Sequence, residues 1–262
     1  MDIQDIIKES VVYPTTMPVG WIVITALLVI DVIMTQIIST GSILAVIAYI
    51  VSAIVSLLVI GLNISIMHNS IHNSNPNFSL DLGQNISDGI KSCIISVIYA
   101  IIPILLLVVI ASISGLPTAV SNLVVESSSV VNNSVVYMGL TSVSQPTLSA
   151  AFTSITITMI FAVILGIVFK LLESIARARL ADTGSITAAL NVIAVLNKIR
   201  SIGVVKYVGF AVLICIVLIL MGIIASIISA IPYIGTYLST IVVAYSVMVD
   251  AYAYGLIYMD EY

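Results

Sequence analysis

Long apolar runs separated by short polar segments dominate the chain. Six of these runs occupy residues 19–38, 42–66, 90–114, 150–175, 207–230 and 237–258. Each reaches roughly the 20 residues that a helix needs to cross the hydrocarbon core of a bilayer. No barrel-type alternation appears, and a helix satisfies its own backbone hydrogen bonds in lipid. The pattern therefore predicts an all-α, polytopic integral membrane protein with six transmembrane helices.

A short amphipathic segment precedes each pair of apolar runs. Residues 2–13, 79–92 and 185–201 place polar side chains on one helical stripe and apolar side chains on the other. Helices with this pattern lie in the membrane interface. We therefore expect three units, each an interfacial helix followed by a two-helix hairpin, within a single transmembrane domain of residues 1–262.

Helix-ending signals refine these boundaries. The helical pattern that begins at Ala150 runs unbroken to about Leu180, which is longer than a bilayer is thick. Gly184 is expected to end that helix, and Ser185 is expected to cap the next one. Pro14 should end the first interfacial helix.

Composition excludes several classes of protein. Hydrophobic residues make up 61% of the chain and charged residues 8%, and the mean hydropathy is +1.27. A soluble domain is about one-quarter charged, and a disordered chain has low hydrophobicity. The net charge of -4 and the absence of an extended basic face argue against a nucleic-acid partner. The bilayer is therefore the first partner that we predict, followed by membrane partner proteins.

Positive charge is concentrated in one part of the chain. Six of the eight basic residues lie from residue 170 to residue 206, from the end of the fourth apolar run to the start of the fifth. Basic residues near span ends stay on the cytoplasmic side, so we expect a multi-pass cell-membrane protein with both termini cytoplasmic. The segment of about 115–149 is then extracytoplasmic. The six cations are candidate contacts for anionic lipid headgroups: Lys170, Arg177, Arg179, Lys198, Arg200 and Lys206.

Two acidic residues lie near the middle of predicted spans. Asp31 and Asp250 have no Lys or Arg at the same depth by this topology. A carboxyl group in that position is costly unless it is neutral, paired or bound to a cation. One interpretation is a proton- or cation-coupled site that also includes Asn63 and Tyr254. The other is a neutral carboxyl that hydrogen-bonds between helices as a packing contact.

The remaining candidate sites carry weaker signals. His68 and His72 have the i, i+4 spacing of a helical metal site, but no third ligand is closer than Asp81 or Asp88. We therefore favour solvated histidines over a metal site. We predict no cofactor. Asn132 begins a glycosylation sequon in the 115–149 segment, which can form a small hairpin or a partly helical flap.

Four stretches together resemble a known family. They are "DIIKESVVYP" followed by Trp21, "FSLDLGQNISDGIKSCIISVIYAIIP", "ARARLADTGSITAAL" with "GVVKYVGF", and "IPYIGTYLSTIVVAY". The sequence is similar in them to the archaeal multi-pass family known as domain of unknown function 4013. The resemblance implies an archaeal integral membrane protein without an established activity and supplies no catalytic residues.

Three functions follow as hypotheses. A membrane binding or scaffolding component is the first, and it would act through the inner helices and the outer segment. An ion- or proton-coupled small-solute transporter that uses Asp31 and Asp250 is the alternative. A lipid-modifying membrane enzyme ranks last, because it would need a cluster of polar catalytic groups near one interface, and only the two histidines with Asp81 and Asp88 could supply one. The sequence also lacks the phosphate-loop, nucleophile and dinucleotide motifs of soluble enzymes. We therefore predict that the protein is not an enzyme.

Overall fold

Six long apolar helices and four shorter ones make up the described part of the chain. The computed structural model describes residues 1–72, 80–128 and 143–260, and these residues contain no β-strand. The helices are α1 (Ile3–Thr16), α2 (Pro18–Ser39), α3 (Leu44–Ile71), α4 (Leu82–Ile113), α5 (Leu116–Ser128), α6 (Gln145–Thr183), α7 (Ile186–Leu190), α8 (Val192–Ile202), α9 (Val204–Ser229) and α10 (Gly235–Met259). By length and composition α2, α3, α4, α6, α9 and α10 can each cross a membrane. The predicted all-α, six-span fold is confirmed.

The first two interfacial segments differ from their predictions. Helix α1 continues past Pro14 to Thr16. Residues 82–92 are not a separate helix but the first turns of α4, which runs without a break to Ile113. The reason is packing. Gly61 of α3 lies so close to the Asn85 carbonyl that a Cβ would overlap it, and a Cβ at Gly89 would likewise overlap the Leu57 carbonyl. These contacts hold the first turns of α4 along α3.

The third interfacial segment forms two helices. Gly184 ends α6 with a φ of +66°, and the Ser185 hydroxyl accepts a hydrogen bond from the Ala188 amide at 3.5 Å, so both predicted end signals are confirmed. Asn191 then separates α7 from α8, because its side-chain oxygen accepts from the Ala194 amide at 3.1 Å. An Asn in this position is a strong N-cap, so the predicted single helix over 185–201 is divided there.

The chain divides into two compact units. Unit 1 comprises Met1–Ser96 and Leu172–Tyr262. Within it α10 packs against α1, α2, α3 and α9 and has the largest buried share of the six spans. One apolar cluster joins α1, α2, α3 and α10 through Tyr13, Met17, Ile24, Leu62, Ile66, Ala244, Met248 and Ala251. Helix α10 therefore provides the central packing surface of unit 1.

Unit 2 comprises Val97–Leu171. Its segments of α4 and α6 are joined by the Ser154 hydroxyl, which donates to the Ser114 carbonyl at 2.8 Å. Glu126 of α5 accepts from the Thr147 hydroxyl at 2.5 Å and from the Ser144 amide at 2.8 Å. The pKa of the Glu126 carboxyl lies below its usual value, mainly because of the Thr147 hydrogen bond and also because of the Ser144 amide. Part of the predicted 115–149 segment is thus helical, and Asn132 lies outside the described residues.

Candidate functional site

Polar side chains from four helices meet inside unit 1, in a region that we call the polar layer. Its members are Asn63, Ser174, Arg177, Tyr207, Asp250 and Tyr254. Arg177 of α6 donates through Nη2 to Asn63 Oδ1 of α3 at 2.8 Å. Asn63 is buried and donates through Nδ2 to the Val247 carbonyl of α10 at 3.4 Å. The layer therefore ties α3, α6 and α10 together through one amide side chain.

The polar layer also holds one of the two predicted carboxyl groups. The Tyr254 hydroxyl is hydrogen-bonded to Ser174 and lies within electrostatic range of both Asp250 and Arg177. The Tyr207 hydroxyl of α9 lies within electrostatic range of Asp250 as well. Contrary to the expectation from sequence, a cation is therefore present at the depth of Asp250. Arg177 reaches it because the last turns of α6 are buried in unit 1, with Ile175, Ala176 and Ala178 fully enclosed.

Asp31 lies at a different depth from the polar layer. Its Oδ1 accepts a hydrogen bond from the Ser52 hydroxyl of α3 at 2.5 Å. Ser52 precedes Asn63 by eleven residues on the same helix, which is about 16 Å at 1.5 Å per residue. The structure thus brings Asn63, Asp250 and Tyr254 together, whereas it places Asp31 nearer the other end of α3.

Most of the predicted headgroup cations in unit 1 contact protein groups. Arg177 is part of the polar layer, and Arg179 donates through Nε to the Ala188 carbonyl at 2.9 Å. Lys198 lies over the Tyr258 ring, 4.6 Å from its centroid. Lys206 is paired with Asp260 at 2.5 Å. Arg200 is exposed on α8, and Lys170 belongs to unit 2.

The two histidines lie at the end of α3, against the end of α6. Their rings are 4.2 Å apart between centroids. His68 Nδ1 is 2.6 Å from the Ala181 carbonyl, and His72 Nε2 is 3.7 Å from Asp182. Asp182 also accepts from the Tyr258 hydroxyl at 3.0 Å. Residues 1–72, 80–128 and 143–260 contain no group of three or more His, Cys, Asp or Glu side chains that could hold a metal ion.

These contacts bring charged groups of both signs together at one end of unit 1. This end carries α1, the histidine end of α3, α7, α8 and the end of α10. Asp260 there accepts from Lys206 and from the Met1 ammonium group at 2.9 Å. Burial alone would raise the pKa of Asp260, but these bonds and charges outweigh it, so the pKa lies below its usual value.

Helix α1 is fastened to α10 by aromatic and polar contacts. The rings of Tyr13 and Tyr252 are stacked with centroids 4.0 Å apart, and burial raises the pKa of Tyr13 to about 12. The Tyr252 hydroxyl donates to Glu9 at 2.9 Å, and the Tyr245 hydroxyl donates to the Val11 carbonyl at 2.5 Å. A cleft of about 440 Å³ lies beside this junction, and it is lined by Asp5, Lys8, Glu9, Val12, Tyr13, Thr16 and Tyr252.

Three members of these sites are not apparent from the sequence. Ser174, Tyr207 and Asp182 lie in or beside apolar segments, where a single polar residue is unremarkable. A usable signal existed for Tyr207, because its phenol lies only about one turn into a span. An aromatic hydroxyl that enters a span needs a polar partner.

Comparison with known proteins identifies a family without an activity. A family model described as "Protein of unknown function (DUF4013)" matches residues 44–233. Neither a curated protein nor a solved structure matches the chain. The family resemblance inferred from sequence is confirmed, while the archaeal origin that it implies stays a prediction.

Proposed function

The chain belongs to the DUF4013 family, whose description assigns no activity. From the geometry we propose that the protein is a membrane binding or scaffolding component that presents α8 to anionic lipid headgroups. The observation that carries this proposal is the arrangement of α8. Val195, Ile199 and Ile202 are buried against unit 1. The opposite side of the helix bears Ile193, Leu196 and Arg200, all of them exposed.

An outward face of this composition suits the membrane interface. Apolar side chains on such a helix enter the boundary between headgroups and acyl chains, and a cation beside them attracts anionic lipids. Lys198 fixes the helix through the Tyr258 ring, so the face is held in one orientation before any lipid binds. This pre-organisation lowers the entropic cost of binding.

Hydrogen exchange in lipid nanodiscs tests the α8 proposal. Amides of residues 192–202 should exchange several-fold more slowly in phosphatidylglycerol than in phosphatidylcholine. Arg200→Gln should remove most of that difference, because it removes the exposed cation of α8. Lys8→Gln, which removes an exposed cation from α1, is the matched control and should leave exchange in α8 unchanged. Equal exchange rates in the two lipids would contradict headgroup binding. If exchange in α8 slowed only after another protein was added, the face would bind a protein partner instead.

Ion-coupled transport is less well supported than binding. A coupling pair requires Asp31 and Asp250 to share one route, whereas Asp31 and the polar layer differ by about 16 Å in depth along α3. The Ser52–Asp31 hydrogen bond supports a packing role, since interhelical polar contacts of this kind stabilise membrane bundles.

Two substitutions at Asp31 separate packing from coupling. If Asp31 only accepts the Ser52 bond, Asp31→Asn should preserve stability because its amide oxygen can accept the same bond. Asp31→Leu should lower the free energy of unfolding by about 1 kcal/mol. Thermal unfolding in detergent measures both variants. A proton or cation flux into proteoliposomes that Asp31→Asn abolishes would instead establish transport.

A further inference from the structure

The cleft beside α1 combines charge and position in a way that the proposed function does not use. Helix α1 ends at Thr16, and Pro18 is already the first residue of span α2. The cleft therefore lies where a span begins, which is the level of the lipid headgroups. From these features we infer that the α1 cleft is a binding site for a lipid whose headgroup carries a phosphate and a primary amine.

The charges of the cleft alternate along α1. Asp5, Lys8 and Glu9 are spaced i, i+3 and i+4, so they project from neighbouring positions on one side of the helix. Within the described part of the chain neither Asp5 nor Lys8 has an ion-pair partner. Two carboxylates and one ammonium group match a zwitterionic headgroup, in which a cation and an anion are a few bonds apart.

The pairing of groups follows from this match. The lipid phosphate is placed at Lys8, and the lipid amine is placed between Asp5 and Glu9. A primary ammonium group has three N–H donors and can bond to both carboxylates, as a choline group cannot. The Tyr252 hydroxyl already donates to Glu9, which orients that carboxylate. The net negative charge of the three side chains disfavours a headgroup that is only anionic.

The apolar lining of the cleft suits the glycerol and upper acyl region of a lipid. It includes exposed Val12 and the stacked rings of Tyr13 and Tyr252. An apolar lining beside alternating charges favours a membrane lipid over free phosphoethanolamine, because the free compound would leave this surface wet. A volume of about 440 Å³ lies within the range of ligand pockets.

Native mass spectrometry of the full chain tests the inference. The protein is delipidated in detergent and then titrated with phosphatidylethanolamine, phosphatidylcholine or phosphatidylglycerol of identical acyl chains. We expect phosphatidylethanolamine to bind about fivefold more tightly than either of the others. Asp5→Asn and Glu9→Gln should each remove most of that preference. Both changes are isosteric, and Gln can still accept from Tyr252, so the fold should be retained.

The control and the contradicting results are specific. Asp2→Asn removes an exposed carboxylate of the same segment that does not line the cleft and should leave the preference unchanged. Equal binding of phosphatidylethanolamine and phosphatidylcholine would overturn amine recognition, and so would a preference for phosphatidylglycerol that survives in the Asp5→Asn variant. If free phosphoethanolamine displaced bound phosphatidylethanolamine at equal concentration, the inference that the ligand is a membrane lipid would be overturned. Arg200 of α8 is outside this cleft, so the test is independent of the proposed function.

Discussion

Gly61→Ala is expected to be the most damaging small substitution in the chain. A Cβ at residue 61 would overlap the Asn85 carbonyl of α4, which is backbone and cannot rotate away. Helices α3 and α4 would have to separate, and overpacking of this kind costs about 3 kcal/mol. Thermal or denaturant unfolding in detergent should show the loss directly.

Gly222→Ala is the matched control for this experiment. Gly222 lies within α9, and nothing is within 4 Å of the place where its Cβ would be. Alanine favours helix more than glycine does, by about 1 kcal/mol. We therefore expect a neutral or slightly stabilising effect. If both variants lost the same stability, the loss could not come from the close approach of α3 and α4, and the proposed overlap at Gly61 would be contradicted.

The second large effect is expected at Arg177. Arg177→Met removes the donor to the buried Asn63 oxygen and the cation at the depth of Asp250. Arg177 and Asp250 are half-buried, whereas Asn63 is buried. Loss of a charged hydrogen-bond partner at such a site costs about 2 kcal/mol, because the buried Asn63 oxygen is left unsatisfied. Thermal unfolding of the variant in detergent measures this loss. Arg200→Met, at an exposed position, should change stability by less than about 0.5 kcal/mol.

A double variant separates the two contributions of Arg177. If the cost comes mainly from leaving the Asp250 carboxylate without a counter-charge, Arg177→Met with Asp250→Asn should be more stable than Arg177→Met alone. If it comes only from the Asn63 bond, the two losses should add. Full additivity would contradict electrostatic coupling between Arg177 and Asp250.

The spans could be predicted because their signal is local. A run of about 20 apolar residues forms a helix in lipid whatever its neighbours are, and the end signals at Gly184 and Ser185 are equally local. The first turns of α4 were not predictable in this way. Their amphipathic pattern is typical of an interfacial helix, but contact with Gly61 and Gly89 decides their direction.

The candidate sites were less predictable because they depend on rotation between helices. The sequence predicts that Asp31 needs a polar partner, but α3 carries several hydroxyl groups, and only the packing selects Ser52. Arg177 illustrates the same limit. Its place near the end of a span predicts a headgroup contact, but the buried small residues Ala176 and Ala178 let α6 pack closely enough for Arg177 to reach Asn63 instead.

The central position of α10 has a consequence for biogenesis. The ribosome makes α10 after every other helix of unit 1, yet Tyr13, Trp21 and Asn63 all contact it. Until α10 is made, the earlier spans must therefore lie in the translocon or in lipid without the contacts that α10 gives these residues. A nascent chain that stalls before residue 235 would leave these α10-contacting groups exposed. Membrane quality-control proteases could recognise an unfinished chain by that exposure.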